Sequence, residues 1–207
     1  VLGTDFVARF DEKRIEISGQ GAFSAFNSDI SSGTFKDSDI DSIFSDESKR
    51  KDARNVRDIL DEFITVNENL RPLSFKRLAT VAYDMTLSLN YFDNVLKFTY
   101  LFRGSDYNSF GQTFLRKDIK GINITDRVRF AENRAFATAG VEHLKDNTSN
   151  SKIATTSFTN LNFSVSYFPG PEYPNATIGY ALYSSKNYLG GNTANAIDDA
   201  THSFFIQ

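Results

Sequence analysis

Leu161-Asn-Phe-Ser-Val-Ser-Tyr167 decides the fold class. Leu161, Phe163, Val165 and Tyr167 fall on one side of an extended chain, and Asn162, Ser164 and Ser166 fall on the other. A period of two is the mark of a β-strand whose faces meet different surroundings. Asp84–Tyr91 repeats the pattern, with Leu87, Leu89 and Tyr91 opposite Thr86, Ser88 and Asn90. Lys97–Arg103 sets Phe98, Tyr100 and Phe102 on one side, and Arg14–Phe23 alternates Ile15, Ile17 and Phe23 against Glu16, Ser18 and Gln20. Further strands are expected at about 4–10, 120–130, 134–145, 175–186 and 200–207, roughly nine in all. In 134–145 the face is left open, because Ala135, Ala137, Ala139 and Val141 compete with Phe136 and Leu144 for the apolar side.

The connections sort by parity. Asp11–Lys13, Asp93–Asn94, Ala131–Asn133 and Pro169–Pro174 are short, whereas about 27–81, 104–118, 146–155 and 187–199 are long. Short and long alternate along the whole chain, so one end of the strands carries turns and the other carries loops. A sandwich has no physical reason for this, but an outer-membrane β-barrel does: its periplasmic turns are short and its extracellular loops long. Aromatic residues precede each short turn, namely Phe10, Tyr91 and Phe92, Phe130, and Tyr167 and Phe168. They are candidates for a periplasmic aromatic girdle, built here without Trp.

Composition fits the same class. The 207 residues include no cysteine, which removes disulfide scaffolds, cysteine-ligated zinc and cysteine nucleophiles. A net charge of −3 gives no basic face for nucleic acid. No apolar run approaches the ~18 to 20 residues of a membrane helix. Alternation yields only 40% hydrophobic residues because half of each strand faces water. The expected fold is therefore all-β, an antiparallel up-and-down β-barrel or a roughly nine-stranded part of one. Residues 1–207 form a single barrel domain or fragment, with a helical insert in the long loop 27–81. Even strand numbers in bacterial single-chain barrels lead us to expect at least one further strand before Val1.

The stretches Leu89–Asn94, Tyr100–Tyr107, Ser109–Arg116, Leu161–Pro169, Pro174–Tyr180 and Ile197–Thr201 resemble large outer-membrane β-barrel proteins of Gram-negative bacteria. The resemblance covers about 82–207 and, more loosely, 4–44. It implies a bacterial outer-membrane location and a porin-like cell-envelope role, in a family mostly without assigned function. It brings no catalytic motif. Such proteins usually end in a further strand with a terminal aromatic, whereas this chain ends at Gln207.

The polar faces nominate Lys97, Arg103, Arg127 and Arg129 as lumen-facing, beside Asn123 and Thr125, which gives a partly basic interior favouring anions. That register aims Asp126 at lipid, a conflict that a bulge or a shifted strand start would remove. Within the insert, Val56, Ile59, Leu60, Phe63 and Ile64 follow helical spacing. This predicts an amphipathic helix from about Asp52, its N-cap, to Val66, either packed on the barrel rim or serving as lid, plug or docking surface. A shorter helical turn is expected through Asp39–Phe44.

Other chemistry is sparse. Asp37, Asp39 and Asp41 have the spacing of a calcium loop, but Ser42 and Ser48 replace the glycine and glutamate such a loop needs, so solvated or capping carboxylates are expected. His143 and His202 form no triad readable by spacing. Gly190-Gly191 precedes a strand and not a helix, so it makes no phosphate cradle. The functional expectation is a non-enzymatic channel, transporter or surface scaffold without cofactor. Its partners would be the lipid bilayer and, in addition, envelope chains that complete or cap the barrel. The alternative from another class is a soluble or cell-surface β-sandwich binding module that buries Leu161, Phe163 and Val165. An outer-membrane hydrolase would require His143 or His202 beside a carboxylate.

Overall fold

The computed structural model describes residues 1–71, 79–109, 111, 115–189 and 194–207. The alternating segments form β1 (Leu2–Phe10), β2 (Ile15–Phe23), β5 (Val81–Tyr91), β6 (Asn94–Arg103), β7 (Ile119–Phe130), β8 (Ala135–Asp146), β9 (Ser157–Tyr167), β10 (Ala176–Lys186) and β11 (Asp198–Ile206). They build one nine-stranded antiparallel sheet in the order β1-β2-β5-β6-β7-β8-β9-β10-β11, each strand beside the next long strand in the chain. The all-β reading holds, and the sheet is open, with β1 and β11 as its edges.

The loop parity is explained by the local backbone. At one end, Asp11, Glu12 and Lys13 take φ values of 47, 53 and 72°, and Ala131, Glu132 and Asn133 take 52, 54 and 67°. These two turns share a closing bond, from Arg14 N to Asp11 O at 2.8 Å and from Arg134 N to Ala131 O at 3.0 Å. Phe92 and Asp93, at φ 51 and 59°, form a two-residue turn whose left-handed residues match the twist of the flanking strands. The opposite end carries the connections 24–80, 104–118, 147–156 and 187–197.

Two helices lie in the insert, α1 (Asp37–Ile43) and α2 (Glu47–Asp61), within a small ladder of β3 (Phe26–Asn27) and β4 (Leu70–Arg71). The expected Asp52–Val66 helix is displaced. Its N-cap is Asp46, which accepts from the Ser48 and Lys49 amides, and it ends at Asp61. Phe63 and Ile64 lie beyond that end, their amides both donating to Leu60 O. The expected Asp39–Phe44 turn is α1, which starts at Asp37 and ends at Ile43. Asn67 is buried and ties the insert together, donating to Asp29 O and Gly33 O while its carbonyl accepts from Asn27 and the Asn69 amide. Among the described residues, no helix is long and apolar enough to cross a membrane.

The sheet is a single layer, and the energetics of that layer differ from those of a globular domain. A compact monomer of 23.3 kDa exposes about 9,700 Å², whereas this chain exposes 14184 Å². Among the described residues, fully buried hydrophobic side chains are confined to the loop-bearing end, where Phe102, Tyr107, Ile119 and Leu144 are nearly inaccessible, to Ala135 at the turn end, and to Ile40 and Leu70 in the insert. Phe163 is 51% exposed, and no second long sheet covers it among the described residues. A stable domain ordinarily packs two layers around one core.

Candidate functional site

The sheet register joins residues into rows that run across all nine strands, mostly apolar on one face and mostly polar on the other. One row is Ala8, Ile17, Leu87, Phe98, Ile124, Val141, Leu161, Leu182 and His202, each directly opposite the next. The row one residue away is Val7, Ser18, Thr86, Thr99, Asn123, Glu142, Asn160, Tyr183 and Thr201, on the other face. A slip of one residue in any strand would mix the two, so the register is strongly specified. The apolar face remains open: Phe6, Met85, Phe163, Ile178 and Phe204 are each at least half exposed on it.

The polar face is internally bonded. Gln20 donates to Asp84 at 2.5 Å, the Thr86 and Thr99 hydroxyls are 2.8 Å apart, and Asn160 donates to Glu142 at 2.8 Å. Lys97, Arg103, Arg127 and Arg129 all lie on this face by strand parity. They are spread over its depth: Arg129 pairs with Asp93 at the turn end, Arg127 sits 5.0 Å above the Phe136 ring, Lys97 is mid-strand, and Arg103 is at the loop end. Sequence reasoning missed the acids among them. Asp5, Asp84 and Glu142 share this face, so it carries both signs of charge and its cations concentrate on β6 and β7. A cavity of about 430 Å³ opens against the 104–118 connection, bounded by Asp5, Gln20, Asp84, Arg103 and Tyr107.

The girdle candidates divide. Phe10, Tyr91, Phe130 and Tyr167 lie at the turn end on the apolar face. Phe92 and Phe168 lie in the turns, Phe92 being 97% exposed. The Tyr91 hydroxyl donates to Asp11, an apolar ring with a polar tip. A second aromatic group, not singled out from sequence, stands at the loop end of the same face: Tyr83 stacks on Phe102 at 5.2 Å and lies 6.1 Å from Tyr100. The two aromatic levels bracket the apolar band.

β8 resolves toward its odd residues. Ala135, Ala137, Ala139 and Val141 are on the apolar face, while Phe136 and Leu144 are on the polar one. The conflict at Asp126 persists, because β7 pairs without a bulge from Ile119 to Phe130. Asp126 faces the apolar side between Leu96 and Ala139, with one carboxylate oxygen buried and without a hydrogen-bond partner.

Val56, Ile59 and Leu60 on α2 and Phe63 beyond its end are exposed, and α2 buries none of its side chains. Its arginines hold it to α1: Arg57 bonds Asp37 at 2.7 Å and Arg54 bonds Asp41 at 2.5 Å. The hydrogen bond from Arg57 holds the Asp37 carboxyl below the usual carboxylate range. Asp39 caps the start of α1, accepting from the Lys36 amide. The three aspartates of the calcium-like spacing are thus engaged with arginines and backbone, and no described residues form a group that could hold a metal ion.

At the loop end, Asp118 organises the 147–156 connection. It accepts from the Thr148 amide at 2.7 Å and pairs with Lys152 at 2.7 Å, while Lys152 also meets Asp146 at 2.9 Å. Burial pushes the Asp118 carboxyl up, but the hydrogen bonds from Lys152 and Thr148 outweigh it and hold the group below its ordinary range. The histidines sit on the apolar face, His143 Nδ1 3.0 Å from Thr159 and His202 Nδ1 2.9 Å from the Tyr180 hydroxyl. Neither bonds a carboxylate among the described residues. Gly190-Gly191 lies outside the described residues, as does part of Ser109–Arg116.

No family model, curated protein or solved structure matches this chain. The reading of function rests on the two faces.

Proposed function

We propose that this chain is the membrane-spanning sheet of a bacterial outer-membrane β-barrel, non-enzymatic, serving as a channel, transporter or surface scaffold. The observation that carries the reading is the largely apolar face of the nine strands, half-buried to exposed, backed on the other face by a hydrogen-bonded polar row. Strands of 9 to 12 residues match the ~9–11 that a tilted strand needs to span a bilayer. Water on one face and hydrocarbon on the other would satisfy both rows, and the aromatic levels would lie at the two interfaces.

Open edges cannot stand in lipid, because every unpaired amide and carbonyl there costs several kcal/mol. β1 and β11 would therefore pair with strands from outside this sheet, closing a barrel around the polar face. Under this reading Lys97, Arg103, Arg127 and Arg129 line a water-filled interior, with Asp5 and Asp84 on the same face.

The test is refolding of the chain by dilution into phosphatidylcholine vesicles and into detergent-free buffer. The proposal expects β-structure that floats with the vesicles and resists protease except at the long connections. A folded monomer that stays in aqueous buffer without detergent would contradict it.

A further inference from the structure

We propose that the rim of the apolar face holds a binding pocket for a phosphate-bearing anion, gripped by Lys120 and Lys145. The two lysines are directly opposed in the β7–β8 ladder. They occupy the level next to the pair Ile122 and His143, on the loop side. Both lie on the apolar face by parity, Lys120 opposite Phe102 and Lys145 opposite Ser157. Directly opposed residues bring their Cβ atoms to about 5 Å, where like charges are destabilising.

Among the described residues nothing relieves this repulsion. Neither ammonium makes an ion pair or hydrogen bond among the described residues, whereas the neighbouring Lys152 is held by Asp118 and Asp146, and Lys186 by Asp198. Among the described residues the acid beside the lysines is Asp146, which is already committed: it binds Lys152 at 2.9 Å and accepts from the Thr156 amide at 2.6 Å. A cavity of about 460 Å³ opens between the lysines, Asp146, Asn147, Asn150, Thr155, Ser157 and Tyr188, its one lining carboxylate being the one held by Lys152. Two ammonium groups exclude a cation. Two charges with several hydroxyl and amide donors suit a tetrahedral dianion better than the two oxygens of a carboxylate.

Place in the fold bears on the source. Below the pocket runs the apolar band of Ile122, Ile124 and Val141, so a lipid phosphate would sit at the pocket with its chains along the sheet. That source rests on the membrane reading above, whereas a free phosphate would not need it.

The experiment has two arms on the full chain. In the first, inorganic pyrophosphate is titrated and followed by phosphorus NMR. In the second, the chain is placed in phosphatidylcholine discs doped with phosphatidic acid, and retained lipid is counted by native mass spectrometry. Wild type is expected to bind in at least one arm. Lys120→Gln with Lys145→Gln should weaken that binding about thirtyfold, at about a factor of five per lysine. Lys120→Arg with Lys145→Arg should retain it, which separates loss of charge from loss of fold, and Lys13→Gln at the turn end should leave it unchanged. Retained phosphatidic acid assigns a lipid source, and pyrophosphate binding alone assigns a soluble one. No binding in either arm, or equal binding by the double Gln variant, overturns the pocket. Failure to enter the discs would count against the membrane reading, and the pyrophosphate arm then decides the pocket by itself.

Discussion

Replacing Asp126 with leucine should stabilise the sheet in a bilayer, against the general rule that substitutions cost stability. The outward run of β7 is Ile122, Ile124, Asp126 and Val128, and the register is unbroken against β6 and β8. One oxygen of Asp126 is buried without a partner, and an unsatisfied buried acceptor costs about 1–3 kcal/mol, more if charged. Leucine removes that cost and continues the apolar row between Leu96 and Ala139. The expected gain is therefore about 1–3 kcal/mol, consistent in size with the cost of charged residues on the lipid face of barrels. The assay is urea-dependent folding into phosphatidylcholine vesicles, followed by circular dichroism. Asp84→Leu, on the polar face, is the contrast: it loses the Gln20 hydrogen bond and should destabilise. A loss of stability in Asp126→Leu together with a gain in Asp84→Leu would refute the assignment of faces.

Other expectations follow from single positions. A Cβ at Gly121 would lie 2.0 Å from His143 O, a backbone atom of the paired strand, so Gly121→Ala should open the β7–β8 ladder and raise amide exchange in both strands. Lys13 and Asn133 sit at φ 72 and 67°, so Lys13→Gly and Asn133→Gly should each stabilise by about 1 kcal/mol or less, read by the same urea titration. The Asp118 carboxyl is held below its unfolded value, so its contribution is complete above about pH 3.9 and is lost as pH falls through the lower folded value. Exchange protection at the Asn147 and Thr148 amides, which both donate to Asp118, should fall in that acid window. In Asp118→Asn the Thr148 amide should be poorly protected already at neutral pH.

The strands were legible because each face carries side chains of one character, and alternation such as Leu161, Phe163 and Val165 against Asn162 and Ser164 records that directly. The turns were legible from length alone, although Asp11-Glu12-Lys13 carries no glycine to advertise its left-handed backbone. The insert was less so. The first turns of α2, Glu47-Ser-Lys-Arg-Lys, carry no apolar residue, so periodicity begins only at Val56 and hides the cap at Asp46. The same periodicity runs on through Phe63 and Ile64 after the helix has ended. Asp126 could be placed but not explained: its partnerless oxygen depends on Leu96 and Ala139, which only the register brings to it. Lys120 and Lys145 escaped for a related reason, since their opposition exists only once β7 and β8 are paired. Loop parity points to a barrel, or a nine-stranded part of one, and the nine strands form an open sheet with β1 and β11 as its edges.

The absence of native cysteine makes one measurement especially clean. Single cysteines placed in turn from residue 160 to 165 in β9, each carrying an environment-sensitive fluorophore, would report the surroundings of both faces in vesicles. The account expects strict alternation: labels at 161, 163 and 165 quenched from the lipid phase, and labels at 160, 162 and 164 quenched by aqueous iodide. Uniform access of iodide to all six positions would contradict a sheet that separates hydrocarbon from water.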